Sequence, residues 1–113
     1  MAKVEIVESL FKEINKKFKH QSTEVFTFLK SLESSQQKGK PLGTVGGIVI
    51  KELKYNNFRF YFITNGFKIK CLNEEKLVDL LLRFVRMSDK NHQQETINEI
   101  KHILRTIGPT GFS

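Results

Sequence analysis

The 113-residue sequence predicts a single α+β domain, residues 1–113, with helices packed on an antiparallel sheet. Three observations point there. Residues 46–62, GGIVIKELKYNNFRFYF, read as two strands joined by a tight turn. Residues 10–32 carry apolar side chains at helical spacing, in two blocks. A third block of that spacing, Ile97, Ile100, Leu104 and Ile107, closes the chain.

In chain order, residues 4–7 are short and apolar and suit an opening strand. Leu10, Phe11, Ile14 and Phe18 then form one helical stripe, with Lys12, Glu13, Lys16 and Lys17 on the other side. His20-Gln21-Ser22 interrupts the pattern, and Ser22 is the expected N-cap of a second helix carrying Val25, Phe28, Leu29 and Leu32. Polar residues 34–40 end that helix, with Gly39 fitted to its C-terminal turn, so the pair reads as an αα-hairpin. Residues 40–47, with glycines at 43, 46 and 47, read as a flexible lead-in. Their spacing matches no nucleotide-binding fingerprint.

The central hairpin follows. Ile48, Val49 and Ile50 are β-branched, Phe58, Phe60, Tyr61 and Phe62 are aromatic, and Asn56-Asn57 between them tolerates the positive φ of a two-residue turn. Alternation puts Phe58, Phe60 and Phe62 on one face and Arg59, Tyr61 and Ile63 on the other. The second face, with Glu52 and Lys54 from the partner strand, is expected to lie open to solvent. Asn65-Gly66 signals another turn, folding 67–72 back, and Asn73 is a candidate cap for a helical turn at 74–77. Residues 80–87 read as a central strand, with a helix as the alternative. Ser88 or Asp89 is then the expected cap of a last helix that stops at Gly108-Pro109. This gives an N-terminal strand and helical hairpin, an antiparallel sheet of about four strands, and a C-terminal helix.

Nineteen Lys and Arg against twelve Asp and Glu leave a net charge of +7, which favours a polyanionic partner such as nucleic acid. No run of 18 apolar residues suggests a membrane span, and residues 1–11 lack the layout of a signal peptide. One cysteine, Cys71, excludes an internal disulfide framework and fits a reducing, cytoplasmic setting. The three histidines and one cysteine have no metal-ligand spacing, so no metal or other cofactor is expected.

Four segments, in order and at fitting spacing, resemble the RelE/ParE toxin superfamily. They are Gly39-Lys40-Pro41-Leu42, the strand Ile50-Lys51-Glu52-Leu53-Lys54, the strand Phe58-Arg59-Phe60-Tyr61-Phe62, and Phe84-Val85-Arg86-Met87-Ser88-Asp89-Lys90 followed by a helix. The resemblance implies a RelE-like fold and a toxin of a type II toxin–antitoxin system. RelE-like members are ribosome-dependent endoribonucleases that cut mRNA, while ParE-like members poison DNA gyrase. Both kinds are held inactive by a small antitoxin protein. A non-toxic basic RNA-binding module of the same fold is a third reading.

Cleavage by the substrate's own 2′-hydroxyl needs a base for that hydroxyl, cations for the five-coordinate phosphate, and an acid for the leaving 5′-oxygen. It needs no metal. Arg59, a planar fork held mid-strand, is the leading phosphate-stabilising candidate, Glu52 the base, Lys90 an additional cation and His92 the acid. Lys51, Lys54, Arg83 and Arg86 complete the candidate phosphate and RNA contacts. Glu52 can equally pair with Arg59 or Lys54 across the hairpin in a structural role. Many RelE-type nucleases carry a tyrosine on the final helix or tail. Residues 95–113 here have none, leaving Thr96 near that place and Phe112 as a possible stacking ring. With Arg59 on an open face, Arg59→Ala is expected to destabilise far less than Phe60→Ala on the helix-covered face.

Overall fold

A computed structural model describes residues 2–35, 38–64 and 80–113. The expected turn at Asn65-Gly66, the strand at 67–72, the turn at 74–77 and Cys71 lie outside the described residues. The elements run β1 (Ala2–Ile6), α1 (Glu8–Phe18), α2 (Ser22–Lys30), β2 (Lys40–Val45), β3 (Ile48–Tyr55), β4 (Phe58–Thr64), β5 (Leu80–Asp89) and α3 (Gln93–Thr106). This is the α+β class, with one five-stranded sheet in the order β1-β5-β4-β3-β2. The sheet is mixed rather than purely antiparallel, because β1 pairs parallel with β5. No described helix is long and apolar enough to cross a membrane.

The hairpin β3–β4 forms as its composition dictates. Asn56 takes φ 52°, and Tyr55 faces Phe58 across the turn. The ladder runs through Lys54↔Arg59, Leu53↔Phe60 and Glu52↔Tyr61 to Val49↔Thr64. Directly opposed residues share a face. Leu53, Tyr55, Phe58 and Phe60 therefore line one side, where α1 and α2 pack. The Phe18 ring meets Phe58 edge-on at 5.1 Å, and Phe28 meets Tyr55 at 5.1 Å. Leu10, Ile14, Val25 and Leu29 are the buried stripe of the two helices, as their spacing requires. Phe11, expected in that stripe, instead stacks on Phe26 at the helices' outer surface and is half exposed.

Five expectations are corrected. Residues 40–45 are not a loop but the edge strand β2, turned into β3 by Gly46 and Gly47 at φ 57° and 83°. An edge position tolerates Pro41, and the register slips between Pro41 and Gly43. Gly39 does not end a helix, since α2 gives way to a 3-10 turn at Ser31–Glu33. Ser22 is not a cap but the first residue of α2. Its hydroxyl turns back to donate to the Lys19 carbonyl at 2.6 Å. Ser88 and Asp89 are not caps either, because β5 extends to pair them with Arg59 and Phe58. Ile107, placed in the last helix's buried stripe, lies beyond its end and is exposed.

The largest correction concerns the second sheet face, which is not open. Ile50, Tyr61 and Ile63 are buried there, and Arg59 is only 8% exposed. Helix α3 touches both β5 and β2 and so crosses this side of the sheet. Its apolar stripe, with Ile100 and Leu104 buried, needs a sheet face, and α1 and α2 already occupy the other.

Candidate functional site

Around the end of the β3–β4 hairpin lies an open hollow of about 580 Å³, in which Lys38, Lys40, Glu52, Lys54, Arg59 and Gln93 meet. Strand geometry brings them together. Glu52 and Lys54 are two apart on β3 and share a face. Lys40 is the direct partner of Glu52 on β2, and Arg59 of Lys54 on β4. Gly39, at φ 102°, carries the chain from Lys38 into β2. A side chain there would strike the Phe62 ring, with a Cβ placed 2.8 Å from it.

Arg59 does not wait free in this hollow, as the sequence suggested. Its Nε stands 3.3 Å from Glu52 Oε1, with side-chain exposures of 10% and 14%. Its Nη1 donates to the carbonyls of Phe58 at 3.1 Å and Asn56 at 3.4 Å. The guanidinium thus closes a diagonal cross-strand pair and braces the turn. Burial makes the pair necessary, because an unpaired charge there would be strongly disfavoured. Lys38, Lys40 and Lys54 are exposed and, among the described residues, are paired with no carboxylate. They are the cations of the hollow that face solvent.

Beneath the pair lies a buried polar contact that sequence reading did not anticipate. Tyr61 is fully buried, and its hydroxyl lies 2.8 Å from Ser88 Oγ. Burial pushes the phenol above its ordinary range. The Ser88 hydrogen bond opposes this, Glu52 adds to it and Arg59 subtracts from it. The phenol therefore stays protonated at neutral pH, and a buried wall with no second formal charge backs the Arg59–Glu52 pair.

The remaining predicted residues are not gathered here. Lys90 and His92 lie in the short connection between β5 and α3, next to Gln93 but outside the lining of the hollow. His92 Nδ1 lies 2.6 Å from Asp89 Oδ1, which also accepts from the Asn91 amide at 2.9 Å. The Asp89 hydrogen bond and charge hold the imidazole above its usual range, and the same contact holds Asp89 below its own. Lys51 faces Phe62 and belongs to the opposite side of β3 from Glu52. Arg83 meets Glu5 at 3.1 Å and Pro109 O at 3.4 Å. Arg86 meets Glu99 at 2.5 Å and lies over the Phe112 ring. A bulge accounts for the placement of these two arginines: pairing jumps from Tyr61↔Arg86 to Phe62↔Phe84, leaving Val85 unmatched. Phe112 is buried, so it offers no stacking surface, and Thr96 Oγ1 donates back to the His92 carbonyl at 3.0 Å.

Lys38, Lys40 and Gln93 are the site residues that the sequence reading missed. The signal for the lysines was Lys38-Gly39-Lys40 itself, once residues 40–45 are recognised as a strand paired to β3. The arrangement assembles a carboxylate, a guanidinium and three ammonium groups, the components of an anion site that can also exchange a proton. The chain matches no protein-family model, no curated protein and no solved structure.

Proposed function

We propose that this chain is a RelE-type toxin that cleaves mRNA on the ribosome, with the hollow at the β3–β4 hairpin as its active site. The supporting observation is the convergence of Lys38, Lys40 and Lys54 on the Glu52–Arg59 pair. In this reading the lysines hold the RNA backbone, and the scissile phosphate draws Arg59 away from Glu52. The freed carboxylate takes the proton of the 2′-hydroxyl as the 2′-oxygen bonds to phosphorus. Arg59 and Lys54 hold the five-coordinate phosphate. The bond from phosphorus to the 5′-oxygen then breaks, and His92 or Lys90 donates the proton that the leaving oxygen needs. The products are a 2′,3′-cyclic phosphate and a 5′-hydroxyl. The raised affinity of His92 for its proton suits a donor at neutral pH. An acidic antitoxin segment covering the three lysines would silence the site.

A second reading is a basic module that binds RNA or a target enzyme without cutting. It is favoured by the closure of Arg59 on Glu52 and by the lack of a tyrosine in residues 95–113. Induced expression followed by mapping of mRNA ends on ribosomes separates the two. New 5′-hydroxyl ends that disappear with Glu52→Gln and fall with Lys54→Ala, in folded protein, are expected. Translation arrest without new ends establishes the second reading, and gyrase-linked DNA breaks establish a ParE-type action.

A further inference from the structure

A second hollow, of about 590 Å³, opens on the other side of the same hairpin turn. Its aromatic wall is Phe18, Tyr55 and Phe58, and its rim carries Lys17, Gln21, Glu24, Asn56 and Asn57. The rings are already ordered among themselves. Phe18 meets Phe58 at 5.1 Å and Tyr55 at 6.1 Å, both edge-on. Phe58 and Tyr55 remain partly exposed, and Lys17 Nζ stands over the Phe58 ring, 5.2 Å from its centroid. The rim thus offers one cation, one carboxylate and three carboxamides above π-surfaces. A simple apolar groove lacks those hydrogen-bonding edges, and an anion site would not include Glu24.

We propose that this hollow takes one unpaired nucleobase of an RNA strand, and that the base carries an exocyclic amino group. Aromatic faces stack any base, and a carboxylate accepts from an amino group such as the cytosine N4 donors. The carboxamides of Asn57 and Gln21 can bond the adjoining ring edge. Lys17 holds its ring contact only weakly at an exposed site and can exchange it for the phosphate of the same nucleotide. The two hollows share one turn. Arg59 in the first donates to the carbonyls of Asn56 and Phe58, which shape the second. A strand crossing the tip can place backbone phosphate among Lys40 and Lys54 and drop a neighbouring base beside Phe58. This inference rests on the reading that RNA is the ligand, but it adds base selectivity that phosphate binding alone does not give.

The test is an amide-resolved NMR titration of the full chain with three single-stranded hexamers: oligocytidylate, oligouridylate and an abasic ribose-phosphate strand. The cytosine strand should shift the side-chain amides of Gln21, Asn56 and Asn57, whereas the abasic strand should shift only Lys40, Lys54 and their neighbours. Cytosine should bind more tightly than uracil by on the order of tenfold, as for one hydrogen bond to a charged group. Glu24→Gln should erase that preference while the protein stays folded. Identical shifts with all three strands, confined to the lysine side, overturn the base hollow and leave RNA binding standing. Shifts at Gln21 and Asn57 in a protein that never cuts mRNA retain the hollow and remove the nuclease reading. If no strand shifts either side, both fall.

Discussion

Two faces of one strand, β4, differ in how they are buried. Phe58 and Phe60 face α1 and α2 with rings alone, whereas Arg59 and Tyr61, with Glu52 beside them, turn toward the α3 side. Phe60 and Tyr61 are both inaccessible to solvent. Burial alone therefore does not distinguish the two sides. What differs is that each polar group on the second side needs a specific partner, so the side that carries the chemistry is also ordered by hydrogen bonds. A truncation on the first side leaves a void, and one on the second leaves an unsatisfied charge or hydroxyl.

Substitutions across the strand test that contrast. Phe60→Ala should cost about 3–5 kcal/mol in denaturant unfolding, as a buried ring lost without collapse. Arg59→Ala should cost about 2–4 kcal/mol, because the mostly buried Glu52 loses its guanidinium partner. Replacing the pair together, Arg59→Met with Glu52→Leu, should recover most of that loss. If the double variant is no better than the single one, the pair stabilises through more than mutual neutralisation. Tyr61→Phe should cost about 1–2 kcal/mol, the loss of one buried hydrogen bond with Ser88 left unpartnered. Arg86→Ala should cost no more than about 1 kcal/mol, since its contact with Glu99 lies at the surface.

The smallest effect belongs to the connection before α3. His92 is held above, and Asp89 below, its ordinary titration range. Their contact therefore contributes most between the two. It is lost as pH rises through the His92 value, where the imidazolium deprotonates, and again as pH falls through the Asp89 value. In Asp89→Asn the His92 ring resonances should titrate at lower pH than in the parent chain. An unchanged midpoint would show that the carboxylate does not hold that proton in solution.

Much of this architecture was legible because its causes are local. Asn56-Asn57, the β-branched run before it and the aromatic run after it give the hairpin, and apolar spacing gives α1, α2 and α3. Strand β2 was hidden. Pro41 and Gly43 have poor strand propensity, and the segment is held by backbone pairing to β3, which no local pattern reports. The covering of the Arg59 side was hidden for a related reason. It follows from two helices already occupying one face, a constraint visible only when the whole sheet is assembled. Of the candidate site, Glu52, Lys54 and Arg59 do converge, because strand alternation and a two-residue turn fix their placement. Strict alternation would put Arg83 and Arg86 on opposite faces, and one unmatched residue, Val85, brings them to the same one.

The parallel pairing of β1 with β5 carries a consequence for synthesis. Ala2 through Ile6 find their neighbours at Leu80 through Phe84, and Glu33 Oε2 accepts from the Val4 amide at 2.9 Å. A growing polypeptide cannot complete this ladder until residues 80–84 have left the exit tunnel. Until then the first strand has no strand partner, and the charged hollow, which draws Gln93 from beyond β5, is completed later still.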